Sequence, residues 1–291
     1  MNKQAFQQWC HDRSNALSQG HNPLVMGILN VTPDSFADGG RYFDTDKALE
    51  KARQMIAEGA DILDVGGEST RPGAHPISLD EELARVLPVI ERIRAETDIV
   101  LAIDTNKPEV MVSAVKAGAA IINDITALQQ EKSLNTAAQL QVPVCLMHMQ
   151  GSPLTMQHNP HYAANIIKEI NHFFEERIAA CLNAGILRKN IILDPGFGFG
   201  KTVAHNMEMI KRFDEFHEQG LPLLIGLSRK HSIGVILDKP ANERLTGSIV
   251  LNTMAALKGV GIIRTHDVEE TRQMVTMIEA VKNYDNEKVG A

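Results

Sequence analysis

The chain has 291 residues, 29 Lys plus Arg against 36 Asp plus Glu, a formal net charge of −7, 44% hydrophobic and 4% aromatic residues. That composition excludes a disordered or fibrous chain. It also excludes function through a bulk positive field, so nucleic acid and anionic membrane are not expected partners. The length suits one large domain or two ordinary ones, and either buries a sizeable core.

Cys10, Cys145 and Cys181 are too few and too scattered for a disulfide framework or a zinc ribbon. The first dozen residues hold no apolar run of the signal-peptide kind, and no stretch approaches the roughly 20 apolar residues that span a bilayer. A cytoplasmic protein is the expectation.

From residue 24 onward, short apolar runs alternate with longer periodic ones. The runs are Leu24–Leu29, Ile62–Val65, Ile99–Ile103, Ala120–Ile122, Val142–Met147, Ile191–Leu193, Leu223–Ile225 and Gly261–Ile263. Each is apolar on both faces and often β-branched, as a strand buried on both sides of a parallel sheet must be. Between them lie helices with legible ends. Leu49, Ala52, Met55 and Ile56 form a stripe that Gly59 stops. Ser78 and Glu81 make a capping box ahead of Leu83, Val86, Leu87, Ile90 and Ile93. Pro108 opens the next helix. Ile166, Ile167, Ile170, Phe173, Phe174 and Ile178 mark the longest one, and Leu245, Ile249 and Met254 a later one. Asp267 caps the last, with Met274, Val275 and Ile278.

Eight strand–helix units with no internal linker predict a single-domain (β/α)8 TIM barrel, an α/β fold. Residues 23–283 form it, residues 1–22 an N-terminal extension and residues 284–291 a C-terminal tail. The alternative is an open doubly wound sheet, which normally has fewer units or a visible second domain.

Chemistry in such a barrel sits at the C-terminal strand ends. The polar residues there are Asn30, Asp64, Asp104, Asn123, His148, Asp194, Ser228 with Lys230, and Arg264 with His266. These short, directional groups suit a flat, hydrogen-bonding ligand. The cations Arg229, Lys230, Arg264 and His266 gather in the last two units, where the fold recurrently binds phosphate. Arg229 also reads as a solvated arginine, and His266 as a helix cap. Residues 30–40 and 66–73 are loops longer than the usual ~2–6 residues, and so are candidate lids.

The segment Asp194–Thr202 is not a nucleotide loop, because Pro195 stands where that pattern needs glycine. Its glycines either admit close approach of a flat ligand or shape a bend. His148, His158 and His161 match no metal-ligand spacing, and Pro153 and Pro160 interrupt them.

These motifs together resemble bacterial dihydropteroate synthase, of the pterin-binding family. The likeness is carried by Met26–Phe36, Asp64–Gly73, Ile121–Ile125, Cys145–Gly151, Asp194–Lys201, Ser228–Lys230 and Ile262–Val268, in family order. Asn106 departs from the family's usual serine. The resemblance implies an enzyme of folate biosynthesis that joins (7,8-dihydropterin-6-yl)methyl diphosphate to p-aminobenzoate. It also implies Mg2+, a homodimer and sulfonamide mimicry of the arylamine. Carried over by motif, Asp104, Lys230 and Arg264 are catalytic. Thr70, Arg71, Pro72, Asn123, Met147, Asp194, Phe199, Gly226, Ser228 and His266 bind substrate with them, and Asn30 ligates the metal. Asp64 is expected to hold a loop backbone.

Two other readings stand beside this one. Lys230 at a strand end suits a Schiff-base aldolase. A folate-binding barrel of a methyl-transfer system needs no diphosphate cradle.

Overall fold

A computed structural model describes residues 1–15, 22–32, 41–71, 73–163 and 165–284. Pro72, residues 33–40 of the first long loop and residues 285–291 of the expected tail lie outside the described residues. The strands are β1 (Leu24–Asn30), β2 (Ile62–Gly66), β3 (Val100–Asp104), β4 (Ile121–Asp124), β5 (Val144–Met147), β6 (Ile191–Asp194), β7 (Leu224–Gly226) and β8 (Ile262–Thr265). All pairs are parallel, in the order β6-β5-β4-β3-β2-β1-β8-β7. A parallel bridge between Leu193 and Leu223 joins the two ends of that order. The open sheet is thereby overturned, and the eight strands make a barrel.

The helices are α1 (Lys3–Asn15), α2 (Arg41–Ala57), α3 (Leu79–Glu96), α4 (Pro108–Ala117), α5 (Ser133–Leu140), α6 (Ile166–Asn183), α7 (Val203–Lys211), α8 (His231–Leu237), α9 (Leu245–Leu257) and α10 (Val268–Lys282). Three details differ from the sequence reading. The α6 helix has 18 residues and shares that length with α3. Only half of the capping box forms: Ser78 Oγ accepts the Glu81 N–H at 3.2 Å, while the Glu81 carboxylate pairs with Arg85 on the next turn. Asp267 precedes α10 without capping it, because its carboxylate is taken by Arg229 and Ser228.

Side chains alternate along each strand, so every strand supplies two cores. One set packs outward with the helices: Val25, Leu63, Leu101, Ile122, Val144, Leu193, Ile225 and Ile263. The other fills the lower barrel: Met26, Ile62, Val100, Ile121, Cys145, Ile192, Leu224 and Ile262. Phe6 and Cys10 of α1 join this inner set, with Trp9 packed against it. Phe6 and Trp9 stack at 5.6 Å between ring centroids, and Arg13 lies 5.1 Å over the Trp9 ring. The α1 helix thus stoppers the N-terminal end of the barrel.

Phe6 is completely buried. Phe6→Ala should destabilise the fold by about 3–5 kcal/mol, the usual effect of emptying a buried aromatic site. The midpoint of chemical denaturation measures it, and a loss under ~1 kcal/mol would contradict the stopper role.

Candidate active site

Towards the C-terminal ends of the strands the inward face turns mostly polar or small, with Met147 the apolar exception. Asp64 follows Ile62, Asp104 follows Ala102 and Asn123 follows Ile121. Met147 follows Cys145, Asp194 follows Ile192, Gly226 follows Leu224 and Arg264 follows Ile262, while Asn30 ends β1 on the face of Met26. Strand parity alone therefore brings these eight into one mouth.

Arg264 stands at the centre. Its Nε donates to Asp64 Oδ2 at 2.6 Å and an Nη to Asp104 Oδ2 at 2.7 Å. Asn123 Nδ2 donates to the same Asp64 oxygen at 3.0 Å. Asp64 is completely buried, and its Oδ1 has no hydrogen-bond partner. It does not hold a loop backbone, as expected from the sequence; it holds the guanidinium. The signal was present in the chain, since a carboxylate at the inner parity of an apolar strand must face the barrel axis.

The neighbours are poised differently. Asp194 Oδ1 accepts the Gly196 N–H at 2.7 Å, and Lys230 Nζ lies 4.1 Å from the Phe199 ring centroid. The Lys230 ammonium forms no hydrogen bond or ion pair with another described residue. Burial pushes the Asp104 carboxyl up to about 7, with Arg264 opposing. Burial also raises Asp194 to about 6, opposed by the Gly196 N–H and then by Lys230. Lys230 is lowered to about 8 by burial and by Arg264. Three carboxylates thus face two cations, which leaves the inner mouth with surplus negative charge.

The turn after β6 is shaped by contact. Gly196 has φ +69°, and a Cβ there would lie 1.9 Å from the His148 carbonyl oxygen. At Gly200, with φ +64°, a Cβ would lie 2.6 Å from the Gln150 carbonyl. The glycines form a bend pressed onto the end of β5. Phe197 points into the core and Phe199 towards Lys230.

The rim beside β7 and β8 is a cluster of hydrogen-bonding groups built around the Arg229–Asp267 pair. Ser228 Oγ is 3.0 Å from His266 Nδ1 and donates to Asp267 Oδ2 at 3.3 Å. Arg229, one of the two cations left open by the sequence, binds Asp267 through Nε at 3.1 Å and positions this rim. Burial lowers His266 to about 4, and the charges of Arg264, Arg229 and Arg71 add to it. Arg71 therefore lies near enough to act on His266, exposed on the loop after β2 beside half-buried Thr70. His148 is not at a ligand site of this rim; it is buried against Lys201, Phe173 and Tyr162.

Residues 26–266 match the family described as pterin binding enzyme. The dihydropteroate synthase of Escherichia coli (strain K12) is 51% identical over 89% of this chain and 92% of its own. Among solved structures, the Xanthomonas albilineans dihydropteroate synthase with 4-aminobenzoic acid is similar at 46% identity and a TM-score of 0.86, covering 91% of this chain and 94% of that one. The same organism's enzyme with 7,8-dihydropteroate gives 42% identity and 0.82, covering 91% and 95%. At these identities the chain belongs to the dihydropteroate synthases, transferases of folate synthesis.

The buried carboxylates carry a stability signature. A carboxyl whose folded pKa is raised binds its proton more tightly when folded, so the fold loses stability as pH climbs between the two values. For Asp194 that window runs from 3.8 to about 6. Asp194→Asn should match the native chain in stability at pH 4 and exceed it at pH 8 by on the order of 2 kcal/mol. Thermal unfolding at both pH values checks this, and equal offsets at both would contradict it.

Proposed function

We propose that this chain condenses (7,8-dihydropterin-6-yl)methyl diphosphate with p-aminobenzoate, giving 7,8-dihydropteroate and diphosphate. The observation that carries the reading is the division of the mouth: an inner wall with three carboxylates against two cations, and a rim of hydrogen-bond donors that includes Ser228, His266 and the exposed Arg71.

The ring belongs inside. Asp194 accepts from a ring N–H and the adjacent amino group, the paired geometry that carboxylates favour. Asn123 supplies donor and acceptor to another edge. Lys230, held against Phe199, donates to the ring carbonyl. Met147 and Gly226 share the inner face with them. The diphosphate belongs at the rim, with Thr70, Arg71, Ser228 and His266. His266 meets it as a neutral N–H donor at pH 7. Arg71 shapes the arylamine pocket; Pro72, its expected companion, lies outside the described residues.

A magnesium ion suits this donor set. Asn30 offers a neutral oxygen at the end of β1, unpaired with any other described side chain, and magnesium takes its remaining ligands from phosphate and water. Bound there, the ion would neutralise charge on the departing diphosphate.

The chain's own residues do the rest. The methylene C–O bond breaks and its electron pair leaves with the diphosphate. Positive charge then develops beside Asp104, where a fixed carboxylate stabilises it. The arylamine nitrogen attacks that carbon and passes its proton to the departed diphosphate. No side chain is needed as a nucleophile, and Arg264 keeps Asp104 in place.

Asp104→Asn should lower kcat by on the order of 10²-fold, the size of one preorganised electrostatic contact. Release of diphosphate from the two substrates with Mg2+ provides the assay. Unchanged turnover would remove Asp104 from the mechanism, and no release from the native chain would overturn the function.

We also propose a homodimer. Val250, Met254 and Leu257 are exposed at i, i+4 and i+7 on α9, and Met277 and Val281 at i, i+4 on neighbouring α10. Such aligned apolar exposure suits a second copy of the chain. Leu257→Glu should shift sedimentation to the monomer; a native monomer at micromolar concentration would end this proposal.

A further inference from the structure

The most deeply buried cation without a part in the reaction above is Lys201, 2% exposed, at the end of the glycine turn after β6. An ammonium carries three donors, and this one has three acceptors: His148 Nδ1 at 3.0 Å, the Phe199 carbonyl at 3.0 Å and the His148 carbonyl at 3.4 Å. All three belong to the two segments that meet under the mouth. His148 directly follows β5, and its own N–H donates to the Asp194 carbonyl at 2.9 Å. Its carbonyl oxygen is the atom on which Gly196 rests. Phe199 carries the ring under Lys230 Nζ, and Gly198 packs against the Lys230 side chain at 3.4 Å from the Cβ position.

A buried charge is costly unless it is paired and hydrogen-bonded. Here no carboxylate pairs with it, and the hydrogen bonds alone retain it. Burial accordingly lowers the Lys201 ammonium to about 7, with Asp194 opposing and Lys230 assisting. A methionine of similar length would fill the same space without that penalty, so simple packing does not account for the amine.

We propose that Lys201 is a positioning residue for the pterin: its ammonium clamps the turn after β6 onto the end of β5, and thereby sets Phe199, Lys230 and Asp194 at the spacing that grips the ring. The proposal rests on the function inferred above. The clamp acts on the ring side, because Thr70 and Arg71 hang from the loop after β2, which Lys201 does not touch.

The test uses the full chain with Lys201→Met and, as a milder change, His148→Leu, which removes one acceptor and keeps the ammonium. Calorimetry measures the dissociation constant of 6-hydroxymethylpterin, and steady-state assays measure KM for p-aminobenzoate. Lys201→Met should weaken the pterin by on the order of 10-fold and His148→Leu by less, with KM for p-aminobenzoate held within about twofold. Pterin affinity unchanged in both variants, or pterin and arylamine constants rising together, would overturn the clamp. If Lys201→Met does not fold, the His148→Leu constants decide between the same outcomes. Failure of the native chain to bind the pterin would instead strike the inferred function.

Discussion

The mouth depends on one constraint: a guanidinium inside a barrel must be neutralised there. Arg264 satisfies it with two carboxylates, Asp64 and Asp104, from two other strands. Leaving such a group half-paired is strongly destabilising, so the three residues fix one another. In the proposed mechanism that rigidity would hold the Asp104 charge in place before the C–O bond breaks, with no reorganisation. Asp64 contributes by holding Arg264, and Asn123 by binding that same carboxylate oxygen.

Much of this was legible because strand parity is strict. The apolar runs located eight strands, and a polar residue two places beyond an inner apolar one has nowhere to point except the mouth. Asn123, Asp194 and Arg264 could be found that way. Asp64 obeys the same rule, although a carboxylate near a strand end commonly serves a loop backbone instead. Partner choice is not periodic and so was not legible. Nothing in local spacing indicates that Asp267 turns away from its helix to Arg229, or that Glu81 leaves its cap for Arg85. The role of α1 was hidden for a related reason: its apolar contacts are few, and only the closed ring of strands supplies a socket for Phe6 and Cys10.

The same division runs down the barrel axis. The lower half is dry and apolar and holds the fold together. The upper half spends stability on buried charge. Functional sites commonly accept such strain when the surrounding structure over-determines it. Here eight strands and the clamped turn provide that surplus.

The stopper at the floor has a consequence for traffic. With Phe6 and Trp9 closing one end, the mouth at the opposite end is the way in that the described residues leave. Asp194 and Asn123 lie deep, whereas Thr70 and Arg71 stand at the threshold. Under the proposed function the bicyclic ring would therefore lie towards the floor and the arylamine towards the threshold.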